Sequence, residues 1–336
     1  MKAFQVVGAF GLENLKPVEL PDPQPGPGQV VVRMRAASLN FRDLVVIKGG
    51  YGPRQKVPVI PLSDGAGEIA AVGPGVTRFK PGDRVVGCFA PAWLEGPLTQ
   101  EKVDSSLGCY VDGVLAESVL FGAETVLPIP AHLSFEQAAA LPCAALTAWN
   151  ALFVADHLQP GATVVLQGTG GVSLFALQFA RMAGARVIIT SSSDQKLARA
   201  KALGASAGIN YKTTPDWDKE VRKLTEGRGA DHVVEVGGAG TFNRSLNSVR
   251  IGGMVSMIGV LAGASAEVRT TLILFRSVRV QGIFVGSRVM FEDMNRAVSA
   301  HSLQPVLDKT FPFAEAPAAL RHLESGAHFG KVVIGF

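Results

Sequence analysis

The 336-residue chain is too long for one small domain and suits two of ordinary size, and 47% hydrophobic against 18% charged residues supplies two buried cores. Its net charge of +4 comes from dispersed basic residues without a Lys/Arg run, which argues against nucleic acid or an anionic membrane and fits a small-molecule substrate. Three cysteines (Cys88, Cys109 and Cys143) lack paired spacing, which argues against a disulfide framework and a four-thiolate zinc site.

The opening "MKAFQVVGAF" shows no charged leader ahead of an apolar core. The most apolar stretch, from Ala138, is interrupted by Pro142, Thr147 and Asn150, so no membrane span and a cytoplasmic location are expected. The first 125 residues are short β-like runs between turn signals, such as "QVVVRMRAAS" from Gln29, "GEIAAVG" from Gly67 and "DRVVGCF" from Asp83. A long irregular insertion around Trp93 separates two of these runs, and long loops in compact domains are often functional.

From Ser134 the pattern changes. "SFEQ" has capping-box spacing ahead of an alanine-rich helix, and apolar strands then alternate with helices up to "VRVQGIFVG" from Val278. Nearly unbroken apolar strands imply a sheet covered on both faces, hence a doubly wound parallel α/β fold. Two further helical segments and a closing strand, "KVVIGF", are assigned to the first domain. The expected division is therefore 1–125 with 287–336 as a β-rich domain, and 126–286 as a doubly wound parallel-sheet domain.

"VVLQGTGGVS" carries the sharpest chemistry. A buried strand ends at Gly168, and Gly168, Gly170, Gly171 and Val172 open a helix, with the small Ser173 at the third position. Such a loop allows a tight turn and close approach of a pyrophosphate to the helix N-terminus. The next strand ends in Ser191 and Ser192 with Lys196 nearby, where an acid would favour NAD; hydroxyls and a cation favour the 2′-phosphate of NADP(H).

With "VGPGVTRFKPGDRVVG", "AALTAWNAL", "GTGGVS" and "GKVVIGF", the chain resembles the medium-chain dehydrogenase/reductase superfamily over essentially its whole length. It is most similar to the zinc-independent quinone oxidoreductase branch, and "ASLNFRD" resembles enoyl reductase modules. The resemblance implies a GroES-like catalytic domain beside the Rossmann domain, and a nicotinamide held near Thr147, Val236, Gly259, Val260, Phe284 and Val285. It also maps adenosine-phosphate contacts onto Ser191, Lys196 and Tyr211, and brings Lys331 towards the cofactor; a capping aromatic and a solvated lysine are the competing readings of Tyr211 and Lys331. Zinc-containing relatives keep ligands where this chain has Asn40, Ser63 and Cys143. Neither Asn40 nor Ser63 is a credible zinc ligand, so no metal is expected, and Cys143 reads as a small core residue.

The resemblance thus implies an NADPH-dependent, zinc-independent reductase of quinones or α,β-unsaturated carbonyls, acting as a homodimer through the edge strand "VRVQGIFVG". A metal-free NADP-dependent alcohol dehydrogenase and an NADPH-binding regulatory protein without turnover are the alternatives. The chemistry needs an oriented acceptor, hydrogen bonds to the oxygen that gains charge, and a proton source. Candidate catalytic residues are Asn40, Asp43 and Tyr51, together with Arg42 and the Ser63–Asp64 pair. An Arg42–Asp43 structural ion pair and a loop-covering Tyr51 compete with those roles. The histidines show no metal-ligand spacing and read mostly as caps or surface residues.

Overall fold

The computed structural model describes residues 1–336. The chain forms two compact units, Met1–Leu146 with Val285–Phe336, and Thr147–Phe284. The boundary thus falls later than the expected 125/126. The reason lies in pairing: Val126–Pro128 joins Arg84–Gly87 as the last strand of the first unit's sheet.

The first unit is built on a seven-stranded sheet. Its centre is the long strand Gln29–Ser38, antiparallel to Asp64–Val72 on one side and to the C-terminal strand Lys331–Gly335 on the other. The register sets Ser38 opposite both Asp64 and Val333, so the polar ends of three strands converge although their residues lie far apart in sequence. A core that includes Val32, Met34, Leu39, Leu62, Ile69, Leu115 and Val332 packs beneath them. At the end of Gln29–Ser38 the chain turns directly into the helix Phe41–Ile47. Its third residue, Asp43, accepts a hydrogen bond from the N-cap amide of Asn40 at 2.7 Å, which fixes the entry angle.

The second unit carries a six-stranded parallel sheet in the order 207–210, 186–191, 163–167, 230–235, 249–257, 279–282. Chain order runs outward in both directions from Thr163–Gln167, so the switch point lies between that strand and Ala230–Glu235. Ligands of doubly wound sheets bind beyond the strand ends at such a point. The expected edge strand is shorter than "VRVQGIFVG": only Arg279–Gly282 pairs, and all four of its residues are exposed.

Ser134 forms the anticipated capping box, its Oγ accepting from Gln137 N at 3.3 Å while Gln137 Oε1 accepts from Ser134 N at 3.0 Å. The alanine-rich segment behind it is not one regular helix. Leu141–Ala145 and Asn150–Val154 are π-helical around a single α turn, and the two units meet in sequence inside this irregular stretch. No helix of the protein is long and apolar enough to cross a membrane.

Candidate active site

In the first unit the converging strand ends bury an unusual concentration of polar groups. Asp43 and Asp64 are wholly buried, Lys331 is 3% exposed and Asn40 9% exposed. The Asp64 carboxylate accepts from Ser63 Oγ at 2.7 Å and from Cys143 N at 3.1 Å, and lies 4.0 Å from the Lys331 ammonium. Lys331 in turn donates to the Leu39 carbonyl at 2.6 Å and to Asn40 Oδ1 at 2.5 Å. Arg42 donates through Nη1 to the Leu107 carbonyl at 3.0 Å and pairs with Asp43 at 3.4 Å. Two carboxylates thus face two cations in one dry cluster.

Electrostatics follow from burial. Desolvation pushes the Asp43 carboxyl up to about 6, against the opposing pull of Arg42 and of the Asn40 amide. Burial and then the Asp64 carboxylate raise the Cys143 thiol far above its ordinary range. No three His, Cys, Asp or Glu side chains come together as a metal centre.

The turn that delivers Ser63 and Asp64 is held under strain. Leu62 is fully buried yet has φ +71°, a left-handed conformation rare for a bulky residue. Its carbonyl accepts from Val114 N at 3.0 Å. A Cβ at Gly113 would approach the same carbonyl to 1.9 Å, so only glycine fits there.

The cluster is incomplete in one direction. Asn40 Nδ2 and Arg42 Nε and Nη2 are buried with no hydrogen-bond partner, while every carboxylate oxygen beside them is matched. Asn40 and Asp43, neighbours at one helix start, are joined here by Lys331 from 291 positions away. Tyr51 is half-buried, and its ring covers the Arg42 guanidinium at 4.8 Å.

In the second unit, Gly168 has φ +71° with open space where a side chain would begin, and Gly170 is the N-cap of the helix Gly171–Met182 without any side-chain cap. Gly171 and Val172 open that helix. Ser173 Oγ donates to the Gln167 carbonyl at 2.6 Å and closes the turn. The strand end at Ser191 and Ser192 leads into a helix whose N-cap Ser193 accepts from Lys196 N at 3.3 Å. Tyr211 N donates to the Ser191 carbonyl at 3.0 Å, which sets Tyr211 beside that strand end. Asp194, the one acid nearby, accepts from Asn210 Nδ2 at 2.9 Å. Val236, Gly259 and Val260 follow the ends of the neighbouring strands, and a Cβ at Gly259 would lie 2.5 Å from the Val236 carbonyl. Thr147 is buried in the α turn Leu146–Trp149. Phe284 ends the second unit, and Val285, at φ +38°, resumes the first.

Sequence reasoning missed what holds these loops. The buried Glu235 carboxylate accepts from Gln167 Nε2 at 2.6 Å, Gly237 N at 2.7 Å, Gly238 N at 2.9 Å, Thr241 Oγ1 at 2.6 Å and the Ser245 hydroxyl. Gln167 Oε1 receives Val236 N and Gly237 N in return, at 3.3 and 3.2 Å. This clamp ties together the two strand ends that flank the switch point. Its signal was available: a glutamine and a glutamate follow the apolar runs Val164–Leu166 and Val233–Val234 at the ends of their strands.

Two other features are decoys. His232, fully buried rather than at the surface as expected, lies 2.9 Å from Ser256 Oγ and 2.8 Å from Asp156, the spacing of a hydrolase triad, but His232 and Ser256 have no solvent access. A cavity of about 460 Å³ is lined by Arg222, Arg228, Arg250 and Arg276, whose guanidiniums bond to backbone carbonyls or to Asp231.

Comparison with known proteins decides the family. Residues 26–131 match the alcohol dehydrogenase GroES-like domain, and residues 171–300 match the zinc-binding dehydrogenase family. A zinc-type alcohol dehydrogenase-like protein of Schizosaccharomyces pombe is 46% identical over 331 residues, 96% of each chain. The chain belongs to the medium-chain dehydrogenase/reductase superfamily. A 2-haloacrylate reductase of Burkholderia sp. is 30% identical over 96% of each chain. Among solved structures, a putative alcohol dehydrogenase from Sinorhizobium meliloti 1021 superposes with TM-score 0.92 at 45% identity, covering 100% of this chain and 99% of that one. A mycobacterial protein complexed with NADPH gives TM-score 0.84 at 28% identity with both chains fully covered. A quinone oxidoreductase of Pseudomonas syringae pv. Tomato DC3000 gives TM-score 0.84 at 30% identity over 100% and 99%. This membership makes the protein an oxidoreductase with a GroES-like domain and a Rossmann-like parallel sheet.

Proposed function

We propose that this protein is an NADPH-dependent reductase of quinones or α,β-unsaturated carbonyl compounds that works without resident zinc. The supporting observation is the Asn40 amide. Lys331 occupies its oxygen, so Nδ2 is presented as a buried donor with nothing to bind. A donor fixed and left unpaired is complementary to a carbonyl oxygen that gains negative charge. Asn40 and Ser63 are poor zinc ligands beside Cys143, while Lys331 and Arg42 already balance the cluster's carboxylates.

The second unit fits the cofactor. The open space beside Gly168 and the uncapped helix start at Gly170 suit a pyrophosphate, and the Ser191 end of its strand carries hydroxyls where an acid would repel a 2′-phosphate. NADPH, when bound, supplies the hydride. The solved relative with NADPH, the quinone oxidoreductase and the 2-haloacrylate reductase are consistent with this chemistry. Asp43, with its raised pKa, orients Asn40 and Arg42 from within the cluster. The exposed edge strand Arg279–Gly282, together with Leu274 and Phe275 at 72% and 78% exposure, supports a homodimer that pairs these edges.

The test is NADPH consumption with 1,4-benzoquinone, an enone and an aldehyde in parallel, with and without EDTA. Turnover of the first two in EDTA is expected. Loss of activity in EDTA would overturn the metal-free reading, aldehyde-only turnover would favour an alcohol dehydrogenase, and no turnover despite NADPH binding would favour a regulatory protein.

A further inference from the structure

We propose that the natural acceptor carries a carboxylate, gripped side-on by the Nε–Nη2 edge of Arg42, with Asn40 Nδ2 as the adjoining donor. The inference rests on the reading that this cluster receives the acceptor, and narrows it to conjugated acids.

Arg42 is held as a rigid plate. Its side chain is 9% exposed, with the rings of Tyr51 and Phe89 each 4.8 Å from the guanidinium carbon. Burial works against its charge, but the Tyr51 hydroxyl and the Asp43 carboxylate outweigh that, so it stays firmly cationic. If Arg42 were only a tether for the segment at Leu107, Nη1 alone would do that work. Nε and Nη2 instead stay buried without a partner in full hydrogen-bonding geometry, and the Tyr51 hydroxyl is the one acceptor outside Asp43 and Leu107 that bears on the guanidinium. Leaving such donors dry is unfavourable, and a ligand that meets them recovers that loss.

Counting lone pairs selects the ligand. The unpaired donors sit on three nitrogens, and two of these form the parallel fork that guanidinium uses for carboxylates. A ketone or quinone oxygen offers two lone pairs and would leave a buried donor unmatched. A carboxylate offers about four on two oxygens in the matching plane. Asn40 and Arg42 are held in one frame because both bond to Asp43, through Asn40 N at 2.7 Å and Arg42 Nη1 at 3.4 Å. Tyr51, half-buried between Gly50 and Gly52, covers the guanidinium on one face.

The experiment compares crotonate with the methyl ketone 3-penten-2-one, by calorimetric binding and by NADPH turnover, in the wild type, Arg42→Lys and Arg42→Met. The wild type should bind crotonate about tenfold or more tightly than the ketone. Arg42→Lys, which keeps the charge and loses the fork, should cut that preference at least about fivefold, and Arg42→Met should abolish it. Thermal scans identify folded variants, and Arg42→Lys decides if the methionine variant unfolds. Equal binding of both ligands by the wild type, or a preference that survives in the decisive variant, overturns the proposal. If benzoquinone and the ketone are reduced while crotonate fails to bind, this inference falls and the reductase reading stands. If crotonate binds in an Arg42-dependent way but nothing is reduced, the reductase reading falls and the carboxylate site stands.

Discussion

Two buried polar clusters, one in each unit, invite comparison because they obey opposite rules. Around Glu235 five donors converge on one carboxylate and Gln167 returns two bonds, so the network closes on itself. Around Asn40 and Arg42 the acceptors are consumed and three donor nitrogens are left over. A closed network has no need of a ligand and serves to set loop geometry. An open one stays costly until something binds. The difference separates scaffold from site without reference to any relative.

The hardest blow to that contrast would come from Glu235→Ala. If the clamp is scaffold, the loss should be roughly 3–5 kcal/mol of folding stability, read as a lower midpoint in urea denaturation, because several buried donors lose their acceptor together. A loss below about 1 kcal/mol would show that the network is dispensable.

Asn40→Asp probes the open cluster. The carboxylate still accepts from Lys331 but has no amide hydrogens to offer, so kcat should fall about 100-fold, and the urea midpoint should fall too because a third carboxylate joins a cluster whose charges already balance. Retained turnover would remove Asn40 from the reaction.

Ser191→Asp sets a carboxylate at the end of its strand. Preference for NADPH over NADH should fall by about tenfold or more in kcat/KM, since like charges repel across the contact. An unchanged preference would move the 2′-phosphate site elsewhere.

The gentlest test uses pH. Folded Asp43 holds its proton up to about 6, against 3.8 for the ordinary carboxyl. Between those values the folded state binds more protons than the unfolded chain, so the Asp43 contribution to stability declines as pH rises through this window. Asp43→Asn should remove a slope of at most about 1.4 kcal/mol per pH unit, measured by denaturation between pH 4 and 6.5. An identical slope in the variant would mean that Asp43 titrates as an exposed residue does.

How much was readable beforehand depended on whether a residue's role was local. "GTGGVS" announced itself because the glycine loop, the helix start and Ser173 are all neighbours. The Ser134 capping box was readable for the same reason. Lys331 and Asn40 are 291 positions apart and meet only through antiparallel pairing of the first unit's central and last strands, a register that no local pattern specifies. The free edge of Arg42 was equally hidden, since the guanidinium is sandwiched between nearby Tyr51 and the ring of Phe89 from a distant segment. The boundary moved because Val126–Pro128, too short to reveal its partner, pairs backward with Arg84–Gly87.

The left-handed turn at Leu62 has a consequence for remodelling the protein. Gly108 and Gly113 both press against its backbone, since a Cβ on either would meet the Leu62 carbonyl at 2.5 or 1.9 Å. The far end of the Trp93 insertion is thereby bolted to the turn that presents Ser63 and Asp64, while residues 94–101 lie exposed. Grafts confined to that exposed span would have to keep its own ties, Val289 N to the Leu94 carbonyl at 3.1 Å and Lys102 Nζ to the Glu95 and Pro97 carbonyls at 2.7 Å. A graft that replaces Gly108 or Gly113 would transmit its error straight into the buried charges.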